Sequence, residues 1–190
     1  IVEKTGISRA TVTRVVNDLI KEGILIESNV TETKRGRHPV NVDICENALY
    51  AFGVNISKNN LSIVLVDLKT NILAKKKQSI RGLSLAGELV DYIANTIQLM
   101  IKENHVDRDR VLGLGVGVPG LVDSKEGIVK NFALGGKIMG IPLKEILEDR
   151  LQMQVTVDNN CNTWLTGERW NGFALDKQDV IFILSSEGVG

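Results

Sequence analysis

Residues 111–118 read Val-Leu-Gly-Leu-Gly-Val-Gly-Val, and no other segment narrows the possible folds as much. A short run that is apolar on both faces suits a strand covered from both sides, and such strands lie inside sheets flanked by helices. The apolar stretch continues to Val122 but is broken by glycines and by Pro119, and it falls short of the ~18 residues that a membrane span needs. Gly113, Gly115 and Gly117 share one face of the strand, where a missing Cβ lets a helix pack close.

The residues around this strand fit an α/β unit. Segments 51–56, 61–67 and 72–77 are three β runs joined by Ser57-Lys58-Asn59-Asn60 and Leu68-Lys69-Thr70-Asn71, as in an antiparallel meander. Between residues 84 and 104, Leu85, Leu89, Val90, Ile93, Ile97, Met100 and Ile101 mark the buried stripe of a long helix. Pro142 then opens a short helix to Arg150, 155–157 is a strand, 160–170 a helix and 180–184 a last strand. With 190 residues, 43% of them hydrophobic and 24% charged, the chain has material for one or two globular domains, which excludes disordered and collagen-like classes.

Residues 1–44 follow a different grammar. Residues 1–4 read as the tail of a helix, Thr5-Gly6-Ile7-Ser8 as a turn with Gly6 closing that helix, and Ser8 as the N-cap of the next one, which runs to about Glu22. Val12, Val15, Val16, Leu19 and Ile20 repeat at the spacing of one buried side, while Arg9, Thr11, Thr13, Arg14, Asn17 and Asp18 look outward. Gly23 ends the helix, and two short strands around 24–26 and 40–42 enclose a polar loop, a β-hairpin with a basic tip. The order is that of a helix-turn-helix followed by a wing, without the first helix of such a domain.

The charge balance directs attention to this segment. The 23 basic residues match 23 acidic ones, so a polyanion would be bound by a local cluster and not by the field of the whole chain. Such a cluster exists. Ser8, Arg9, Thr11, Thr13 and Arg14 occupy the exposed start of a helix that fits a major groove, and Lys34, Arg35, Arg37 and His38 concentrate positive charge in the wing, suited to phosphates or a narrow minor groove. A solvated amphipathic face is the competing reading of the helix taken alone. The succession of turn, cap and basic hairpin favours DNA.

Several motifs resemble one family. Thr5-Gly6-Ile7-Ser8-Arg9-Ala10-Thr11-Val12-Thr13-Arg14-Val15-Val16, with Leu19, Gly23 and Gly36-Arg37-His38-Pro39, resembles the winged helix of transcriptional regulators in the ROK family (repressors, open reading frames and sugar kinases). Val116-Gly117-Val118-Pro119-Gly120-Leu121-Val122-Asp123 is similar to the family's sugar-binding loop, Asn131-Phe132 with Ile141-Pro142-Leu143 to its next loop and helix, and Val157-Asp158-Asn159-Asn160-Cys161-Asn162 with Gly167-Glu168 to its central acidic segment. The resemblance implies an N-terminal winged helix-turn-helix over 1–44 and a linker over 45–49. It further implies an actin-like (sugar-kinase/ribonuclease H-like) α/β lobe over 50–178, with a second lobe that begins at 179–190 and is cut short.

Sugar recognition needs fixed polar groups in a cleft and backbone that can approach closely. Gly117, Pro119 and Gly120 supply a tight loop, and Asn131, Asp158, Asn159 and Asn160 supply hydroxyl-binding groups near strand ends, although asparagines and glycines also make ordinary turns. Phosphoryl transfer needs more. Family kinases carry an Asp-x-Gly-x-Thr-like turn where this chain has Asn55-Ile56-Ser57-Lys58-Asn59, an aspartate base where it has Asn160, and a Gly-Thr-Gly turn where it has Ser185-Ser186-Glu187-Gly188. An amide cannot take the substrate's proton, and losing such a base costs roughly 100- to 10,000-fold.

The expectation is therefore a sugar-responsive transcriptional regulator, a repressor that binds double-stranded operator DNA as a homo-oligomer and is released by a sugar or sugar phosphate. An active ROK sugar kinase with an added DNA-binding domain is the alternative, and a DNA-binding protein whose second domain only dimerises is a third reading. Cys45 and Cys161 read as plain thiols in a cytoplasmic protein without membrane partners. No cofactor is expected in this stretch, and the zinc site that the family resemblance implies would lie beyond residue 190. The opening at Ile1 in mid-pattern and the end in a glycine turn suggest a piece of a longer protein.

Overall fold

A computed structural model describes residues 1–28, 41–81, 87–132 and 140–185. Its centre is a five-stranded sheet in the order β5-β4-β3-β6-β9. β3 (Tyr50–Ile56), β4 (Asn60–Asp67) and β5 (Ile72–Ser79) form the expected antiparallel meander, and β6 (Val111–Val118) and β9 (Val155–Asn159) extend it in parallel beyond β3. Parallel neighbours require long crossovers. α3 (Glu88–Glu103) lies on the way to β6, while a hairpin of β7 (Gly120–Asp123) and β8 (Ile128–Phe132) and then α4 (Leu143–Leu151) lie between β6 and β9. α5 (Asn160–Asn171) follows β9 directly.

One face of the sheet carries the core. Period-two alternation turns Phe52, Val54, Ile56, Leu61, Ile63 and Leu65 to the same side as Leu114, Val116 and Val118 of β6 and Val155 and Val157 of β9, all buried. α3 covers them through Leu89, Val90, Ile93, Ile97 and Met100, and α4 through Leu143, Leu147 and Leu151. The helix predicted from residue 84 is described from Glu88, and Leu85 lies outside the described residues.

The glycine face of β6 takes the other neighbours. A Cβ at Gly117 would come within 2.7 Å of the Thr163 hydroxyl and 3.4 Å of the Asn160 Cα, so this glycine is what lets α5 lie against the sheet. At Gly113 a Cβ would sit 2.5 Å from the Gln154 carbonyl oxygen. Gly115 is under no such constraint, with its nearest neighbour at an ordinary 3.7 Å.

The described residues among the first 44 form two helices joined by a turn and two antiparallel strands. α1 (Val2–Thr5) ends at Gly6, whose φ of 67° is the left-handed conformation expected there, and α2 (Arg9–Lys21) starts at Ser8, whose hydroxyl accepts the Thr11 N–H at 3.2 Å. β1 (Leu25–Ser28) and β2 (Asn41–Ile44) are antiparallel, with Leu25 opposite Ile44 and Ser28 opposite Asn41. Val12, Val16, Leu19 and Ile20 are half-buried as the periodicity requires, but Val15 is 46% exposed. At 3.6 residues per turn it falls roughly a quarter-turn off the centre of that stripe.

Residues 180–184 do not form the last strand that their apolar run suggested. Ile181 and Ile183 are 90% and 70% exposed, and no neighbouring strand among the described residues supplies the ladder of hydrogen bonds that a strand requires. The β7–β8 hairpin corrects the sequence reading in the opposite direction, because the resemblance reads residues 116–123 and 131–132 as loops and assigns no strand between them.

Candidate functional sites

The polar residues expected to meet a sugar lie at the ends of two adjacent parallel strands, where Gly117 pairs with Asp158 and Val118 with Asn159. Asn159 has extended backbone and caps α5: its Oδ1 accepts the Cys161 N–H at 2.8 Å, and its Nδ2 donates to the Gly120 carbonyl at 2.7 Å. Both ends of the amide are thus engaged in tying the start of β7 to the start of α5, which makes Asn159 a positioning residue. Gly120 adopts φ 125°, a conformation that any side chain would strain, and half-buried Pro119 precedes it.

Asp158 and Asn160 keep more of their bonding capacity. One Asp158 oxygen accepts the Asn159 N–H at 2.6 Å and the Asn162 Nδ2 at 3.0 Å, while the other receives nothing from the described residues. Asn160 uses its backbone carbonyl for the Thr163 hydroxyl at 2.9 Å, and its Oδ1 has only a thiol 4.0 Å away. Both side chains are half-buried. A free carboxylate oxygen beside a free amide, at the N-terminal end of a helix, can accept from and donate to vicinal hydroxyls. Asn131 sits elsewhere, exposed on β8 opposite Leu121, with no hydrogen bond to residues 158–160. Asp123, part of the loop motif, closes the β7–β8 hairpin instead. It pairs with Lys130 at 2.8 Å and accepts the Glu126 N–H, and these contacts, the Lys130 one foremost, hold its carboxyl below the usual range.

The turn between β3 and β4 is closed on itself. The Ser57 N–H and the Ser57 hydroxyl both donate to the Asn60 carbonyl, each at 2.9 Å, so neither is free to hold a phosphate. Just before it, Asn55 Oδ1 accepts the Trp164 indole N–H at 3.4 Å, linking β3 to α5 across 109 residues of sequence. Sequence reasoning left Trp164 out, because nothing in its neighbourhood signals so distant a partner. Asn162 was not singled out either: Asp158 belongs to β9 and Asn162 to α5, so the helical i,i+4 rule does not link them.

At the other end of the molecule, Ser8, Arg9, Thr11, Thr13 and Arg14 are all exposed, yet α2 divides them. Arg9 and Thr13, with Val12, Val16 and Ile20, line a groove bounded by Val2 of α1 and Val42 of β2. Thr11 and Arg14 fall on the opposite side of the helix, as its 3.6-residue period requires. The Ser8 and Thr11 hydroxyls bond each other at 2.9 Å in addition to the cap. Lys34, Arg35, Arg37 and His38 lie outside the described residues, as do Ser186, Glu187 and Gly188.

Among the described residues no group of three His, Cys, Asp or Glu side chains converges as a metal site would require, and Cys45 and Cys161 are free thiols. No described helix is long and apolar enough to cross a membrane.

Comparison with known proteins agrees with this geometry. The profile of the ROK family matches residues 51–190. A putative xylose repressor from Caldicellulosiruptor sp. (strain Rt8B.4) is 28% identical over 184 residues, which are 97% of this chain and 46% of that protein. The chain thus spans about half the length of the curated relatives it matches. The crystal structure of a ROK family transcriptional regulator, a homologue of the E. coli MLC protein, superposes with a TM-score of 0.71 over 90% of this chain and 43% of the other, at 21% identity. A ROK family glucokinase from Streptomyces griseus, solved with glucose and AMPPNP, gives a TM-score of 0.60 over 74% of this chain and 43% of its own, at 26% identity. The lobe from β3 onward has the actin-like α/β fold of the sugar kinases.

Proposed function

We propose, on the premise that the chain belongs to the ROK family, that it is the DNA-reading and sugar-sensing part of a transcriptional repressor of carbohydrate-utilisation genes. What supports this reading is the pair of short helices, the second capped by Ser8, and the β1–β2 pair, attached directly to a sugar-kinase-type lobe. In this reading residues 1–44 are a winged helix. α2 enters the major groove of operator DNA and reads bases from the Arg14 and Thr11 side, Ser8, Arg9 and Thr13 flank it toward the backbone, and Lys34, Arg35, Arg37 and His38 hold phosphates. A sugar or sugar phosphate binds between the Gly117-Val118-Pro119-Gly120 loop and Asp158, Asn159 and Asn160, while Asn131, exposed on β8, would contact it only if the hairpin moved toward these strand ends. The protein works in the cytoplasm as a homo-oligomer, two copies reading two half-sites.

The competing reading is a sugar kinase, since a glucokinase shares the fold. Two observations favour the repressor. Asn160 stands at the base position with an amide, and the Ser57 donors that a phosphate would need are spent on Asn60. The test uses the intact protein with upstream DNA and with D-xylose, D-glucose and N-acetylglucosamine. The expected result is release of DNA by one of these sugars and no ADP formation. Turnover of about 1 to 100 per second with any of them, or no preference for the upstream DNA over random duplex, rejects the proposal.

A further inference from the structure

The turn between β4 and β5 touches both halves of the molecule. Asp67, 5% exposed, organises it: one carboxylate oxygen accepts the N–H groups of Lys69 and Asn71, each at 2.9 Å, and the other accepts the Asn71 Nδ2 at 2.8 Å. Backbone bonds between Asp67 and Asn71 and between Thr70 and Asp67 close it, and Thr70 is held at φ 65°. Burial pushes the Asp67 carboxyl up, but the hydrogen bonds from Asn71 and Lys69 outweigh it and keep it below the usual range. This is a stiff five-residue unit.

On one side it grips the junction with the N-terminal module. Lys69 Nζ bonds Asp43 Oδ2 of β2 at 2.9 Å, and the Leu68 N–H donates to the Glu46 carbonyl at 3.0 Å. The Cys45 N–H reaches the Ile24 carbonyl at 2.8 Å, just before β1, so the junction is also tied to the chain leaving α2. On the other side, the Thr70 hydroxyl accepts the Asn171 Nδ2 at 2.8 Å. Asn171 is the last residue of α5, and the first residue of α5 is Asn160. A helix of 12 residues spans roughly 18 Å, so α5 has one end at the proposed sugar site and the other at this turn.

We infer that the Asp67–Asn71 turn is the coupling element of this protein: a ligand at the N-terminal end of α5 moves the helix, Asn171 carries the displacement to Thr70, and the stiff turn passes it through Lys69 and Leu68 to β2 and the DNA-reading helix. The inference rests on the sugar site and DNA-binding role proposed above and adds the path between them. The contacts suit a relay better than a brace. Lys69 and Asp43 are 34% and 53% exposed at their side chains, so their bridge contributes little to static stability. Spatial intermediacy alone does not demonstrate coupling, so the test must read the coupling itself.

The experiment uses the intact protein, operator DNA and whichever of D-xylose, D-glucose and N-acetylglucosamine releases the wild type. Operator affinity is measured with and without saturating sugar, and sugar affinity without DNA, for wild type, Lys69→Met, Asn171→Ala and the double variant. Wild type should show a ratio of operator affinities of about 5 to 150, and either single variant should lower that ratio severalfold, up to about fivefold for links this exposed. Both binary affinities should stay near wild type. Links in series predict that the double variant loses no more than either single one. Amide exchange at Leu68 provides a second readout: sugar should alter its protection in wild type and not in Asn171→Ala. Variants that keep the wild-type ratio overturn the relay while leaving the functional reading intact. A wild type whose operator affinity no sugar changes overturns both.

Discussion

The two halves of the chain hold their shape by opposite means. From Ala48 onward the lobe is built around a core in which Ile56, Leu65, Ile93, Ile97 and Met100 are wholly inaccessible. In α1 and α2 no residue is buried, and Ile1, Val2, Ile7 and Val15 are between 39% and 66% exposed. There the chain direction is set by two left-handed glycines, Gly6 and Gly23, and by the Ser8 cap. The difference suits the two tasks proposed for them. A surface that reads DNA must keep its side chains in solvent, whereas a site that binds a small polar ligand needs strand ends fixed by a packed interior.

The largest effect should come from the core. Ile97→Ala on α3 should destabilise the lobe by about 2 to 5 kcal/mol, while Val15→Ala on α2 should change stability by less than about 0.5 kcal/mol. Denaturant melts followed by backbone circular dichroism would measure both. Similar losses at the two positions would mean that α2 is packed against something, and the contrast between the halves would fail.

The next effect is on binding. Arg14→Ala should weaken cognate DNA by about 1 to 3 kcal/mol and relax specificity at one base pair, and Arg35→Ala should weaken cognate and random duplex evenly and flatten the salt dependence. Fluorescence anisotropy over a salt series distinguishes them. The division of α2 sharpens this: Arg9, which lines the groove, should behave like Arg35 and not like Arg14. Equal losses on cognate and random DNA for Arg14→Ala would remove it from base reading.

Ser8→Ala comes third. It removes the acceptor for the Thr11 N–H and should cost about 1 kcal/mol of α2 stability, seen as faster amide exchange in the first turn with the lobe unchanged. Where no described residue is buried such a cap is a large share of what holds the helix, so an undetectable change would imply that the helix does not depend on it.

How far these features could be read in advance depended on whether their cause is local. Gly6 and Ser8 act within four residues, and the alternation of Leu61, Ile63 and Leu65 is a property of the strand itself, so both were legible. Residues 180–184 look like a strand by the same criterion and are not one, because a strand also needs a neighbour, which no local pattern specifies. The β7–β8 hairpin was missed for a related reason: its pairing of Gly120 with Phe132 and Asp123 with Ile128 sits behind Pro119 and Gly120, which signal a loop. At the sugar site, residue type identified Asp158, Asn159 and Asn160 but not that Asn159 spends its amide on Gly120 and Cys161. The contacts of Lys69 with Asp43 and of Thr70 with Asn171 join segments far apart in the chain, and no spacing rule announces them.

The smallest effect expected lies where the two halves meet, and its sign follows from the direction of the Asp67 shift. Burial alone would raise that carboxyl, but the hydrogen bonds from Asn71 and Lys69 win and lower it, so the folded protein holds the ionised form more firmly than the unfolded chain does. A group lowered on folding contributes stability that is complete above its unfolded value near 3.9 and fades as pH falls through the folded value. Lys69 is shifted the opposite way, upward, chiefly by its hydrogen bond with Asp43, and its contribution would fade only on the alkaline side, as pH rises through its folded value. Neither group titrates between about pH 6 and 8. The difference in melting temperature between wild type and Asp67→Asn should therefore be flat over that range and shrink as pH drops below about 3.9 toward about 3, the range in which the unfolded chain's carboxyl takes up its proton. A difference that stays constant down to that pH would show that the turn does not depend on the charge of Asp67. The stiffness assigned to the junction would then have to come from the backbone bonds of residues 67–71 alone.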